Sequence, residues 1–188
     1  GCGLAGRRMV INGTPGNAMG AYLNGSELYV KGNAQDAVGD TMDDGLIVIE
    51  GSSGDATGYA MRGGSIFVKG SVGYRAGIHM KEYNQKKPAL VIGGNAGSFL
   101  GEYQAGGTII VLGLESQEPI VGYFCGTGMH GGEIFLRTDK VPASLPEQVC
   151  ARTALPEDLN RIEGYIKSFC GYFDYSAEKI MQHPFLVL

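Results

Sequence analysis

The segments ELYVKGNAQDAVGDTMDDG (27–45), LIVIEGSSGDATGYAMRGG (46–64) and SIFVKGSVGYRAGIHMKEY (65–83) follow one another without a gap and align residue by residue. Each is 19 residues long. A short apolar run opens each segment, a glycine closes the run, and further glycines punctuate the rest. A fixed period of this length is the signature of a repeat architecture, in which one unit cannot bury its own apolar face but stacked neighbours can.

Working outward, the glycine after the apolar run recurs at Gly13, Gly32, Gly51 and Gly70, then, past a five-residue insertion, at Gly94 and Gly113. A second series lies seven residues further on, at Gly20, Gly39, Gly58, Gly77 and Gly101. Two added residues put its next member at Gly122. These twelve are read as structural glycines, placed where the chain turns and a side chain would hinder positive φ or close approach. Between them run apolar ladders. Met9, Leu28, Ile47, Ile66, Leu90 and Ile109 lead to Ile134; Ile11, Val30, Ile49, Val68, Ile92 and Val111 lead to Leu136; Leu23, Met42, Met61 and Met80 form a third. The runs are short, β-branched and bounded by glycine, which argues for strands over helices. The fold these features predict is all-β: a single-stranded right-handed parallel β-helix of about 19 residues per coil over residues 1–137, with a connector and short α-helical tail over 138–188.

Charges keep the same period. Lys31, Glu50 and Lys69 fall 19 apart, as do Asp43, Arg62 and Lys81, and both sets are read as solvated ladders of alternating sign. The period reaches Gly1, so the chain opens within a repeat. The expectation is that residues precede it or another segment covers this end. Pro156, Glu157 and Asp158 open a helix with an apolar stripe of Leu159, Ile162, Ile166, Phe169 and Phe173. Ser176 caps a shorter one that stops at Pro184.

The middle residue of each strand points outward, and the ladder Val10, Tyr29, Val48, Phe67, Val91, Ile110, Phe135 is apolar throughout. So large a patch requires cover, from the C-terminal helix or from another subunit. Tyr29, Val48, Phe67, Val91 and Ile110 are therefore the candidate partner face. The loops at 82–87 and 114–119 break the period and are the other candidates for a partner-facing rim.

Composition narrows the function. Glycine supplies 32 of 188 residues, while proline supplies only 7, so the chain is neither collagen nor a flexible linker. The net charge of -4, without a basic run, argues against a nucleic-acid surface or an anionic membrane. Cys2, Cys125, Cys150 and Cys170 include no CxxC pair and read as free thiols of a reducing compartment, the cytoplasm. No signal peptide and no apolar run of membrane-spanning length occurs.

Candidate chemistry is sparse. GxGxxG occurs at residues 1–6 and 126–131, but each match runs into a strand, whereas a dinucleotide fingerprint must open a helix. His79, His130 and His183 share no spacing that suggests a metal site. Cys125 has only His130 as a nearby base and reads as a buried thiol. Asp36 and Asp55, one repeat apart, with Arg75 close to the next equivalent position, are the one carboxylate pair that could serve a carbohydrate-active enzyme. No catalytic, cofactor or metal residue is assigned.

The repeated Gly-Asn-Ala phrase, the stretch GEYQAGGTIIVLG (101–113) and GMHGG (128–132) resemble the GXGXG domain of glutamate synthase, over about residues 1–137. The same repeat occurs in one of the components of formylmethanofuran dehydrogenase. The resemblance implies a non-catalytic structural or assembly domain, without cofactor of its own. It would brace a glutaminase and a flavin- and iron–sulfur-containing synthase domain that together make glutamate from glutamine and 2-oxoglutarate. A formylmethanofuran-dehydrogenase component and a free-standing carbohydrate-active enzyme are the alternatives.

Overall fold

The structure is a computed structural model and describes residues 5–114 and 119–188. Seven strands recur at the period of the sequence: β1 (Arg8–Asn12), β2 (Asn24–Lys31), β3 (Asp44–Ile49), β4 (Ser65–Val68), β5 (Ala89–Ile92), β6 (Ala105–Val111) and β7 (Gly131–Leu136). Each pairs in parallel with the next. The register puts Met9 beside Leu28, Leu28 beside Ile47, and so on through Ile66, Leu90 and Ile109 to Ile134. The last step, from Ile109 to Ile134, is 25 residues, six more than the repeat.

After β7 the chain leaves the repeat. It forms β8 (Arg152–Thr153), helix α1 (Pro156–Phe173), the short helix α2 (Ala177–Met181) and β9 (Leu186–Val187). Strand β9 returns to pair antiparallel with β7, and β8 pairs antiparallel with β9. The tail thus completes the same sheet, in the order β1-β2-β3-β4-β5-β6-β7-β9-β8.

This corrects the expected fold class. Among the described residues the regular hydrogen bonding makes one nine-stranded mixed sheet, and helices α1 and α2 add a second layer, so the fold is neither all-β nor a single-stranded parallel β-helix. The reason lies in the glycine-rich part of each repeat. Left-handed residues interrupt it several times per unit, as at Arg75, Gly77 and His79, with φ of 58°, 67° and 56°. An extended chain cannot run through such points. This part therefore makes turns joined by isolated parallel bridges, Ser53 to Val72, Val72 to Ala96 and Ala96 to Val121, rather than further strands.

The sheet separates two cores. On one face the Ile47–Ile66 and Ile49–Val68 ladders meet Leu23, Met42, Met61 and Met80, all fully buried. On the other, Val48, Phe67, Val91, Ile110 and Phe135 are buried against Ile162, Ile166, Phe169 and Phe173 of α1. The helix meets the sheet above β5. Of the candidate partner face, then, Val48, Phe67, Val91 and Ile110 are covered by the chain's own helix. Tyr29 is half-buried against the edge of Tyr172, and Val10 at the β1 end is exposed.

Glycines serve two physical ends. At Gly77, φ is +67° and a Cβ would press on the side chain of Ile109. Gly97 has no unusual φ, but a Cβ there would lie 2.6 Å from the Gly73 carbonyl oxygen, so backbone approach alone demands glycine. Gly122 is misplaced in the sequence reading. The bridge from Ala96 to Val121 makes it the partner of Gly97, and the amide of Gly126 bonds the Leu100 carbonyl as the next member of the Gly77–Gly101 series. By contrast Gly164 and Gly171 lie on the exposed face of α1, where a Cβ would meet nothing. Replacing either with alanine is expected to stabilise the protein by about 0.5–1 kcal/mol, through helix propensity and a less flexible unfolded chain. Denaturant melts of the single variants check this.

Helix α1 is tied down at its start. The buried Asp158 carboxylate accepts from the guanidinium of Arg152, from the Leu155 amide (2.7 Å) and from Arg161 (2.6 Å). Arg161 also reaches Glu133 on β7. The Arg152 bonds foremost, then the Leu155 amide, hold the Asp158 carboxyl well below the usual carboxylate range. A depressed folded pKa contributes stability above the unfolded value of roughly 4, and that contribution is lost as pH falls below it. Asp158→Asn should cost about 2–3 kcal/mol at pH 7, with a smaller difference from the parent at pH 3. Chemical denaturation at the two pH values measures both.

Candidate functional site

Once α1 has covered the sheet, an exposed aromatic strip remains on the turn side of the repeats. Residues equivalent in successive repeats take the left-handed conformation there: Arg75, Phe99 and Phe124, with φ of 58°, 61° and 60°. Their side chains turn outward and stack along the corner. Tyr74 and Phe99 have ring centres 5.3 Å apart, Phe99 and Phe124 5.0 Å, and Tyr123 and Phe124 6.3 Å. Arg75 lies over the Tyr74 and Phe99 rings at 4.9 and 5.4 Å and pairs with the buried Glu102 at 2.8 Å. Tyr123 is 67% exposed and Phe124 50%, values high enough to leave these rings open to a partner.

Beside this strip lies a cavity of about 490 Å³, lined by Val72, Ala96, Val121, Tyr123, Pro142 and Ser144 among others. One wall is the turn side of the repeats and the other is the connector after β7, held by the Phe124 amide donating to the Ser144 carbonyl. An aromatic strip next to an apolar recess has the make-up of a protein docking face, in which large rings supply contact area and a pocket receives an anchor.

The other residues singled out from the sequence are engaged in holding the repeats together. Asp36 and Asp55 each accept the amide of the residue one repeat on, Asp55 and Tyr74, at 2.9 and 2.7 Å. They continue a ladder that Asn17 begins. With one carboxylate oxygen of each bonded to backbone, and Arg75 turned to Glu102, no carboxylate–arginine groove forms. Cys125 is buried, and burial pushes its thiol up to about 12, the opposite of an activated nucleophile. Cys170 is likewise raised by burial, while Cys150 is exposed. The second GxGxxG match supplies turn glycines, with φ of +73° at Gly126 and +67° at Gly128, and leads into β7 rather than a helix. The first lies mostly outside the described residues, as does Cys2.

His183 is exposed beyond α2. His79 stacks on Tyr103 at 5.3 Å. Among the described residues no group of three or more His, Cys, Asp or Glu side chains could hold a metal ion. No described helix is long and apolar enough to cross a membrane. The insertion at 82–87 folds back, with Lys86 reaching Asp44 at 3.5 Å and Glu82 accepting the Gly107 amide at 3.3 Å. Of the loop at 114–119, residues 115–118 lie outside the described residues. The charge ladder forms an ion pair between Lys31 and Glu50, but Arg62 and Lys81 are neighbours of like sign, which corrects the alternating pattern.

Sequence reasoning missed the aromatic strip. Its signal was present. Arg75, Phe99 and Phe124 keep the same steps as the strand ladder, 24 across the first insertion and 25 across the second.

Comparison with known proteins agrees with the repeat. The 188-residue chain is 49% identical over 104 residues to the uncharacterized protein MJ1350 of Methanocaldococcus jannaschii, a match covering 53% of this chain. It spans 40% of that protein's own length. The family model described as GXGXG motif matches residues 3–185, nearly the whole chain. The chain belongs to the GXGXG motif family, the family of the glutamate synthase C-terminal domain.

Proposed function

We propose that this chain is a non-catalytic assembly component of a glutamate-synthase-type enzyme, and that it docks the flavin- and iron–sulfur-containing synthase part through the Tyr74–Phe99–Phe124 corner. The observation that carries the reading is that open aromatic strip beside its apolar recess. Family membership supports the glutamate-synthase context. The engagement of Asp36, Asp55 and Cys125 in structural bonds or burial supports a role without chemistry of its own. A stacked sheet with many short backbone ties is also a stiff spacer, suited to holding two active sites at a fixed separation.

The test is a double charge substitution, Tyr123→Asp with Phe124→Asp, in the tagged full-length protein expressed in its native host. Both side chains are at least half exposed, so the variant should melt as the parent does. Recovery of the synthase polypeptide should fall by at least about tenfold, the loss expected when central aromatic anchors are removed. Undiminished recovery would rule out this face. Recovery of molybdenum- or tungsten-enzyme polypeptides in place of the synthase would overturn the glutamate-synthase assignment.

A further inference from the structure

On a different side of the repeats, Ala60, Arg62, His79, Lys81, Tyr103 and His130 line an open depression of about 440 Å³. Arg62 and Lys81 are equivalent in adjacent repeats: the Arg62 amide bonds the Met42 carbonyl, and the Lys81 amide bonds Met61. Equivalent residues of paired units lie about 4.8 Å apart at the backbone. Two like charges so placed repel. The stack places a cation beside an anion at Lys31 and Glu50, and in this ladder Asp43 precedes Arg62, whereas Lys81 follows it with like charge. Among the described residues none that lines this depression is acidic. Within a chain of net charge -4 it is a local concentration of positive charge.

Three further observations mark it as built. The Nε of Arg62 is buried with no hydrogen-bond partner among the described residues, a costly arrangement unless something else accepts from the guanidinium. The His79 ring is held between its neighbours, stacked on Tyr103 at 5.3 Å and met edge-on by Tyr59 at 6.1 Å. His130 Nδ1 lies 3.3 Å from the Gly128 carbonyl, a contact in which the nitrogen donates, and Nε2 is left as its other polar atom.

We infer that this depression binds a phosphate-like oxyanion, free or as the phosphoryl group of a small metabolite, between Arg62 and Lys81. A dianion answers both cations at once. The planar guanidinium offers paired donors and the lysine ammonium a point charge, the combination that recurs around phosphoryl groups. A monocarboxylate would neutralise only one of the two. Tyr103 has one face against His79, and recognition is assigned to the anion, which both cations can meet. The inference stands apart from the docking reading, since the two involve different residues.

The experiment is calorimetric titration of the full-length protein at low ionic strength with three probes: inorganic phosphate, ribose 5-phosphate and acetate. Saturable one-to-one binding of phosphate or of the phosphomonoester is expected, with acetate at least about tenfold weaker. Tighter binding of the ester assigns the site to a phosphorylated metabolite, and equal or tighter binding of phosphate assigns it to the free ion. Arg62→Gln with Lys81→Gln should weaken binding by at least about tenfold, while Lys31→Gln leaves it unchanged. Lys81 is exposed and Arg62 half-exposed, so the variant is expected to fold, and an unchanged melting temperature verifies it. No saturable binding, equal binding of acetate, or full binding by the double variant would overturn the inference.

Discussion

Phe169→Ala should cost about 3–5 kcal/mol, the range for removing a fully buried aromatic side chain. Phe169 sits at the centre of the outer core. Its ring meets Phe173 at 4.8 Å and Tyr175 at 5.7 Å, and it shares one buried cluster with Val91, Ile110 and Phe135 of the sheet. Truncation leaves a cavity between helix and sheet that rigid β-strands cannot close. The apolar ladder beneath then becomes accessible, so the variant should also bind a hydrophobic dye before global unfolding. The outcome separates two ideas of what covers the ladder. If α1 is the cover, the loss is large in the isolated protein. If a partner protein were the cover, the loss would be small until that partner was present. Guanidinium denaturation of the purified variant gives the number.

Gly93→Ala carries the second large effect, at about 3 kcal/mol or more. Gly93 follows β5 and its amide bonds the Val68 carbonyl. A Cβ there would lie 2.7 Å from the Phe169 ring and closer still to the Lys69 carbonyl oxygen. A side-chain end can swing away, but a backbone carbonyl held between the bonded Val68 and Gly70 carbonyls cannot. The methyl group must therefore push adjacent repeats apart or lift the helix, and both cores suffer. Set against Gly164→Ala, where the same added methyl meets open space, the pair isolates close packing from the general effect of glycine. A melting difference of opposite sign between the two variants is the expected result. Similar, small shifts in both would contradict the packing described for Gly93.

The strand register was legible from the sequence because strong signals coincide there. Each of the seven strands places an Ile, Leu, Val or Met at two inward positions, and a closing glycine follows nearly every run, so a slip by one residue would expose the whole ladder. The glycine-rich remainder was less legible. Glycine matches glycine at any shift, and so Gly122 was assigned to the wrong series until the Ala96–Val121 bridge fixed its place. Gly93 was not singled out at all, since its need arises from the helix and from a neighbouring repeat, neither of which local sequence encodes. The fold class failed for a related reason. Period and apolar pattern specify stacking, but they do not say that the turn side lacks continuous strands, nor that the two residues Leu186 and Val187 return to extend the sheet antiparallel.

The site was the least legible part. Pattern reasoning favoured the outward strand ladder as a partner face, because an apolar row facing water is an anomaly that needs a cover. It could leave the choice open between helix and partner, and the three-dimensional structure resolved it toward α1 for Val48, Phe67, Val91 and Ile110. The exposed aromatic corner went unremarked because its members occupy glycine-flanked turn positions, where small or polar residues are the usual occupants. Phe99 and Phe124 in the left-handed conformation break that expectation. Local rules that fail without a structural gain tend to mark function.

The proposed role, in which this chain assembles a glutamate-forming enzyme and performs no chemistry itself, rests on complex formation in the cell. Native-host purification of the tagged full-length protein, with mass spectrometry of the intact complex and its cofactors, tests it most directly. The account predicts a defined complex containing a flavin- and iron–sulfur-bearing synthase polypeptide and a glutaminase in fixed stoichiometry with this chain. Isolation of the chain without either polypeptide, under conditions where the synthase itself is recovered intact from the same cells, would contradict it.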